Sequence, residues 1–145
     1  MKPVLLGLLS AATVICQDLD AVKAEPDLEK RSEKALIHAE KVMDGLRKLY
    51  EAGEWKAVVG ALNEVEQCAT LARESLQNSG KNPRRSPKYF KRAELKLRTL
   101  ARRLDSAAHL VSLDERPDVL RVKDTVQKEH DTILNFVMTG KTEVK

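Results

Sequence analysis

The chain has 145 residues, enough for one domain, with 33% charged and 42% hydrophobic residues, which excludes both a low-complexity tail and a multi-span membrane protein. Aromatic residues make up only 3%, too few to fill the pleated core of a β-sandwich, whereas the abundant Ala, Leu, Glu, Lys and Arg favour helix. The formal net charge of +4 is modest but unevenly spread.

The N-terminus reads as a secretory signal. Met1-Lys2 gives a positive start, and Val4 to Cys16 is an apolar run too short for a typical membrane-spanning helix. A polar stretch follows, and Val22-Lys23-Ala24 supplies a small-residue cleavage site before Glu25. The expectation is a signal peptide over 1–24, a helical domain over 25–138 and a frayed tail over 139–145. The exported chain then belongs to the bacterial periplasm or the extracellular space. A lipid anchor at Cys16 is disfavoured, because Ile15 stands where a small residue should precede an acylated Cys. Loss of Cys16 leaves Cys68 alone, so no intramolecular disulfide can form. Cys68 lies at the edge of an apolar helical face and reads as a small core filler.

Four helices follow in order. The first spans about 28–52, with Leu28, Ala35, Leu36, Ala39, Val42, Met43, Leu46, Leu49 and Tyr50 on one stripe. Pro26-Asp27 opens it and Gly53 closes it. The second spans about 54–78, with a wider apolar arc of Trp55, Val58, Val59, Leu62, Val65, Ala69, Ala72 and Leu76, and should be the most buried. The short link at Gly53 forces an antiparallel hairpin. Residues 79–87 form the linker, whose Gly and two Pro end one helix and start the next. Ser86 is placed to cap and Pro87 to take the first helical position.

The third helix spans about 87–111, with Tyr89, Phe90, Ala93, Leu97, Leu100, Ala101, Leu104, Ala107, Ala108 and Val111 on one arc. Residues 112–117 make a turn. The fourth helix spans about 118–138, buried through Val119, Val122, Val126, Ile133, Phe136 and Val137. The expected fold is therefore all-α: an antiparallel four-helix bundle made of two helical hairpins. The stripes equally allow extended hairpins that form a homodimer.

The stretch Leu49-Tyr50-Glu51-Ala52-Gly53-Glu54-Trp55-Lys56-Ala57 resembles the turn between the two helices of a tetratricopeptide repeat. No second copy follows at 34-residue spacing, and Val58 stands where the repeat has Ala, so the resemblance implies a helical hairpin and no function.

Charge segregation is the most informative feature. Between Gln77 and Arg103 lie ten basic residues, Lys81, Arg84, Arg85, Lys88, Lys91, Arg92, Lys96, Arg98, Arg102 and Arg103, against one acid, Glu94. A single-sign face costs stability through self-repulsion, since charged surfaces normally mix signs. Apart from Lys81, these residues form the candidate anion-binding surface. Anionic lipid headgroups, lipopolysaccharide phosphates, wall polymer or an acidic protein suit an exported chain. Nucleic acid is disfavoured, because aromatic stacking residues are few. The bland alternatives are solubility, with the acidic residues of the first helix partly neutralising the patch, or assembly guided by that same complementarity.

Catalytic signatures are missing. The sequence has no GxSxG, HExxH, CxxC or phosphate-cradling Gly-rich loop. Ala35, Ser106 and Gln127 stand three residues before His38, His109 and His130, so the Glu-x-x-His pattern of di-iron bundles is absent. The expectation is a non-enzyme without cofactor or metal. Asp105 and His109 should pair on the surface, and Glu129 and His130, at the margins of the fourth apolar arc, should make polar contacts inside the bundle.

Overall fold

The computed structural model describes residues 18–143. The apolar run of the expected signal peptide lies outside these residues. Residues 18–23 are helical and are designated α1. Four long helices follow: α2 (Leu28–Glu51), α3 (Trp55–Gln77), α4 (Lys88–Leu110) and α5 (Arg116–Thr139). The chain is all-helical across the described residues, and none of its helices there is long and apolar enough to cross a membrane.

The local signals act where the sequence places them. The Asp27 carboxylate accepts the Lys30 N–H at 3.1 Å and caps α2. Gly53, at φ 73°, takes the left-handed conformation that ends α2 and lets α3 start two residues later. Two starts differ from expectation. Ser86 makes no capping bond; Pro87 itself stands at the N-cap of α4, and the Asn82 side chain instead accepts the N–H groups of Arg84 and Arg85. α5 begins at Arg116, so Pro117 lies inside the first turn rather than ahead of it. Its missing N–H costs nothing there, because first-turn N–H groups have no intrahelical partner.

The apolar stripes close on one another. Leu36, Leu62, Leu76, Phe90, Leu97, Leu100, Leu104, Ile133 and Phe136 are fully buried. α3 is buried over the widest arc, and Cys68 fills part of it without exposure. α2 packs antiparallel on α3, and α4 on α5, which are the two expected hairpins. Between hairpins, α2 lies against α4 and α3 against α5. Those neighbours run parallel, because their cross-links climb in step: Glu33 with Arg92, Glu40 with Lys96 and Asp44 with Arg103 on one side. Glu66 with Arg121 and Thr70 with Glu129 do the same on the other. A bundle whose neighbours are all antiparallel would set α2 beside α5. Here the cations of α4 meet Glu33, Glu40 and Asp44 along one edge of α2, which sets the pairing in register.

Leu62 is central, so its replacement tests the placement of α3. Leu62→Ala should lower folding stability by about 2–5 kcal/mol, read from denaturant midpoints at unchanged slope. A loss below about 0.5 kcal/mol, typical of surface sites, would remove α3 from the core.

Candidate functional site

α4 carries its cations on two faces, and the two do different work. Arg92, Lys96 and Arg103 turn toward α2. Arg92 donates to Glu33 at 2.7 Å, Lys96 to both Glu40 oxygens at 3.0 and 3.1 Å, and Arg103 to Asp44 at 2.7 Å. Lys81 reaches Glu29 at 4.0 Å and extends the series by one step. Partly exposed pairs of this kind contribute about 0.2–1 kcal/mol each, so the ladder sets register more than it supplies stability.

Lys88, Lys91, Leu95, Arg98 and Arg102 recur at steps of three and four. They fall within an arc of about 80° at 100° per residue. All five are exposed. Leu95, 55% exposed, sits in the middle of this cationic stripe. Among the described residues, Lys88, Lys91 and Arg102 meet no carboxylate within ion-pair distance, whereas Arg98 pairs with Glu94 on its own helix. Lys88 and Arg92 also stand over the Tyr89 ring, at 5.3 and 5.7 Å from its centre.

The linker cations divide in the same way. Arg84 donates to the Met138 carbonyl at 2.6 Å, at the C-terminal end of α5, where the helix dipole favours a positive charge. Its stem crosses Gly140, where a Cβ would come within 2.9 Å of the Arg84 Cδ. Arg85 is exposed. The nine expected site residues therefore separate into four held by intramolecular partners (Arg84, Arg92, Lys96 and Arg103), four that face solvent without a carboxylate (Arg85, Lys88, Lys91 and Arg102), and Arg98, which is exposed but tied to Glu94.

Inside the bundle lie two His–Glu pairs that the sequence reading resolved only in part. His130 Nε2 stands 2.8 Å from Glu94 Oε1, and His130 Nδ1 stands 3.0 Å from Asp131 Oδ1. Arg98 donates through Nε to the same Glu94 oxygen at 3.0 Å. Burial opposes the charge on Glu94, but the bonds from His130 and Arg98 outweigh it and hold its carboxyl below the usual carboxylate range. The bond to His130 likewise holds Asp131 low. Across the other hairpin, His38 Nε2 lies 2.8 Å from Glu64 Oε1, with both residues buried. That pair was missed, although His38 sits beside Ala39 and four residues before Val42, at the margin of the first stripe.

Glu129, expected to make contacts inside the bundle, takes a bond from Arg73 Nε at 2.6 Å and one from Thr70 at 3.3 Å, joining α5 to α3. Asp105 pairs with Lys123 of α5 at 2.8 Å, and the His109 ring nitrogen meets the Asp105 backbone carbonyl instead of its carboxylate. Among the described residues, no group of three or more His, Cys, Asp or Glu is placed to hold a metal ion.

An apolar groove of about 240 Å³ opens at the end of the bundle where the α2–α3 and α4–α5 turns lie together. Met43, Leu46, Tyr50, Val58, Leu110 and Val111 line it. Leu110 and nearby Leu113 are exposed. Trp55 packs edge-on against Tyr50 of the groove wall, with ring centres 6.3 Å apart.

Comparison with protein-family models, curated proteins and solved structures finds no match for this chain.

The Glu94 cluster has a defined acid response. A carboxyl held below its ordinary value of 4.5 stabilises the fold above that pH, and the contribution is lost as pH falls through the lowered value. Stability measured by urea titration should therefore decline as pH drops below 4.5, and Glu94→Gln should flatten part of that decline. An identical pH profile in the variant would show that Glu94 gains nothing from His130 and Arg98.

Proposed function

We propose that the chain is an exported helical binding module that engages anionic envelope surfaces, such as lipid headgroups or lipopolysaccharide, through the outward stripe of α4. The supporting observation is that Lys88, Lys91 and Arg102 are exposed with no carboxylate partner among the described residues, while their helix-mates Arg92, Lys96 and Arg103 are neutralised by α2. Single-sign charge left facing solvent attracts anions, and Lys and Arg stems let Leu95 touch an interface while the charged heads stay hydrated. Arg85 in the linker widens the surface, and Arg98 adds a planar donor beside it. Export, carried by the apolar N-terminal run, sets the periplasm or the extracellular space as the compartment and makes nucleic acid a poor partner. No enzymatic step and no cofactor belong to this reading.

A second reading, a protein-interaction scaffold or homo-oligomer, is favoured by a different observation. The apolar groove beside exposed Leu110 and Leu113, with Arg47 and Arg103 at its wall, offers contact area at the end of the bundle that does not include Lys88, Lys91 or Arg102. Under that reading, size in solution rises with concentration and is insensitive to anionic polymer.

Two triple variants that change net charge equally separate site from charge. Lys88→Gln, Lys91→Gln and Arg102→Gln together should abolish most binding to anionic vesicles with helicity unchanged. Arg92→Gln, Lys96→Gln and Arg103→Gln together should lower stability and retain most binding. Raised salt should weaken the wild-type interaction. Equal behaviour of the two triples would reduce the effect to net charge, and wild type that ignores anionic vesicles at low salt would remove the proposal.

A further inference from the structure

α1 stands where the expected signal peptide ends, yet it is built into the core. Leu19 is 7% exposed and Val22 8%, and both belong to the apolar cluster formed with the long helices. Asp18, Ala21 and Val22 face Lys34, Ile37, His38 and Lys41 of α2. Lys23 stands beside α3 at Asn63, Glu66 and Thr70. α1 thus lies along the seam between α2 and α3, next to the buried His38–Glu64 pair and to Cys68. Burial, reinforced by Glu64, pushes the Cys68 thiol up to about 12 against a smaller opposing pull from Lys23.

The junction after α1 is held as well. The Ala24 N–H donates to the Asp20 carbonyl at 3.0 Å, and the Glu25 N–H to the Val22 carbonyl at 3.2 Å. Arg31 Nε donates to the Glu25 carbonyl at 2.7 Å, and Lys34 pairs with the Glu25 carboxylate. Removal of residues up to Ala24 would strip two apolar side chains from the core and open the seam they close.

We propose that α1 is a permanent strap of the folded protein and that the exported chain is processed N-terminal to Asp18 rather than after Ala24. This rests on the export reading. The sequence ahead of α1 offers two other ends: Ser10-Ala11-Ala12 and Val14-Ile15-Cys16 both finish on a small residue, and the apolar stretch from Val4 fits in front of the second. Either cut leaves Leu19 and Val22 in the mature chain.

Two measurements test the two halves separately. The full-length chain is expressed in a bacterial host, and mass spectrometry reads the N-terminus of the envelope fraction. A start between Thr13 and Asp18 is expected, and a start at Glu25 overturns the processing site. A full-length cytoplasmic product would sink both the export reading and the processing site, and the strap is then decided by the second measurement. In the purified full chain carrying Cys16→Ser, so that Cys68 is its single thiol, Leu19→Asp with Val22→Asp should raise the reaction rate of the Cys68 thiol with a thiol-specific reagent about tenfold or more, because the seam opens locally. Leu113→Asp, on an exposed turn, should leave the rate unchanged. Circular dichroism confirms retained helix in each, and if the double variant loses its helix, Leu19→Ala is read in its place with a smaller rise expected. A Cys68 rate that matches the Cys16→Ser chain in the Leu19 and Val22 variants overturns the strap.

Discussion

Each long helix of this chain is apolar along one side only, and an apolar side must meet another to leave water. Four such sides satisfy one another when two hairpins are laid together, and the rest of the structure follows from that closure. It aligns Phe90, Leu97, Leu100 and Leu104 of α4 against the fully buried residues of the other helices. The side chains at the edges of the stripes are then carried to the seams, where the buried His and Glu side chains find partners while, among the described residues, the Ser32 and Ser75 hydroxyls do not. The two His–Glu pairs and the Arg73–Glu129 contact stand at such places. A buried polar group left unpaired costs about 1–3 kcal/mol. These pairs therefore act mainly as conditions on how the helices pack.

Closure alone does not choose which hairpin face meets which. The apolar stripes permit α2 to lie beside α5 or beside α4, and charge decides between them. α2 offers Glu29, Glu33, Glu40 and Asp44 along one edge, and the basic segment answers with Lys81, Arg92, Lys96 and Arg103 in the same order. Matching order along both partners requires parallel neighbours. Individually these contacts are small, but a shift by one helical turn would set several of them against the wrong partner. The ladder also absorbs about half of the positive charge that makes α4 conspicuous. What remains outward is a narrower stripe with a single exposed Leu at its centre, and this stripe, not the whole basic helix, is the surface available to a partner.

The existence, order and approximate ends of the long helices were legible in the sequence, because the 3.6-residue period, Asp27 and Gly53 act locally. Burial of Leu62, Leu97 and Ile133 was equally legible, since a stripe shows its own inward face. Exposure of Leu95 followed from its position opposite that stripe. Polar character at Glu129 and His130 was visible at the margin of the arc, but their partners were not, because Arg73 and Glu94 lie dozens of residues away in sequence.

The sequence by itself determined an all-helical chain of two hairpins with its cations concentrated on one helix. Only the tertiary structure decided that α2 and α4 run side by side, that Arg92, Lys96 and Arg103 are neutralised while Lys88, Lys91 and Arg102 are not, and that Leu19 and Val22 belong to the core. The physical reason is the range of the interactions. Helical periodicity and capping depend on residues three or four apart, whereas the choice of partner for a charge or an apolar edge depends on which distant segments the closed core brings within about 4 Å of each other.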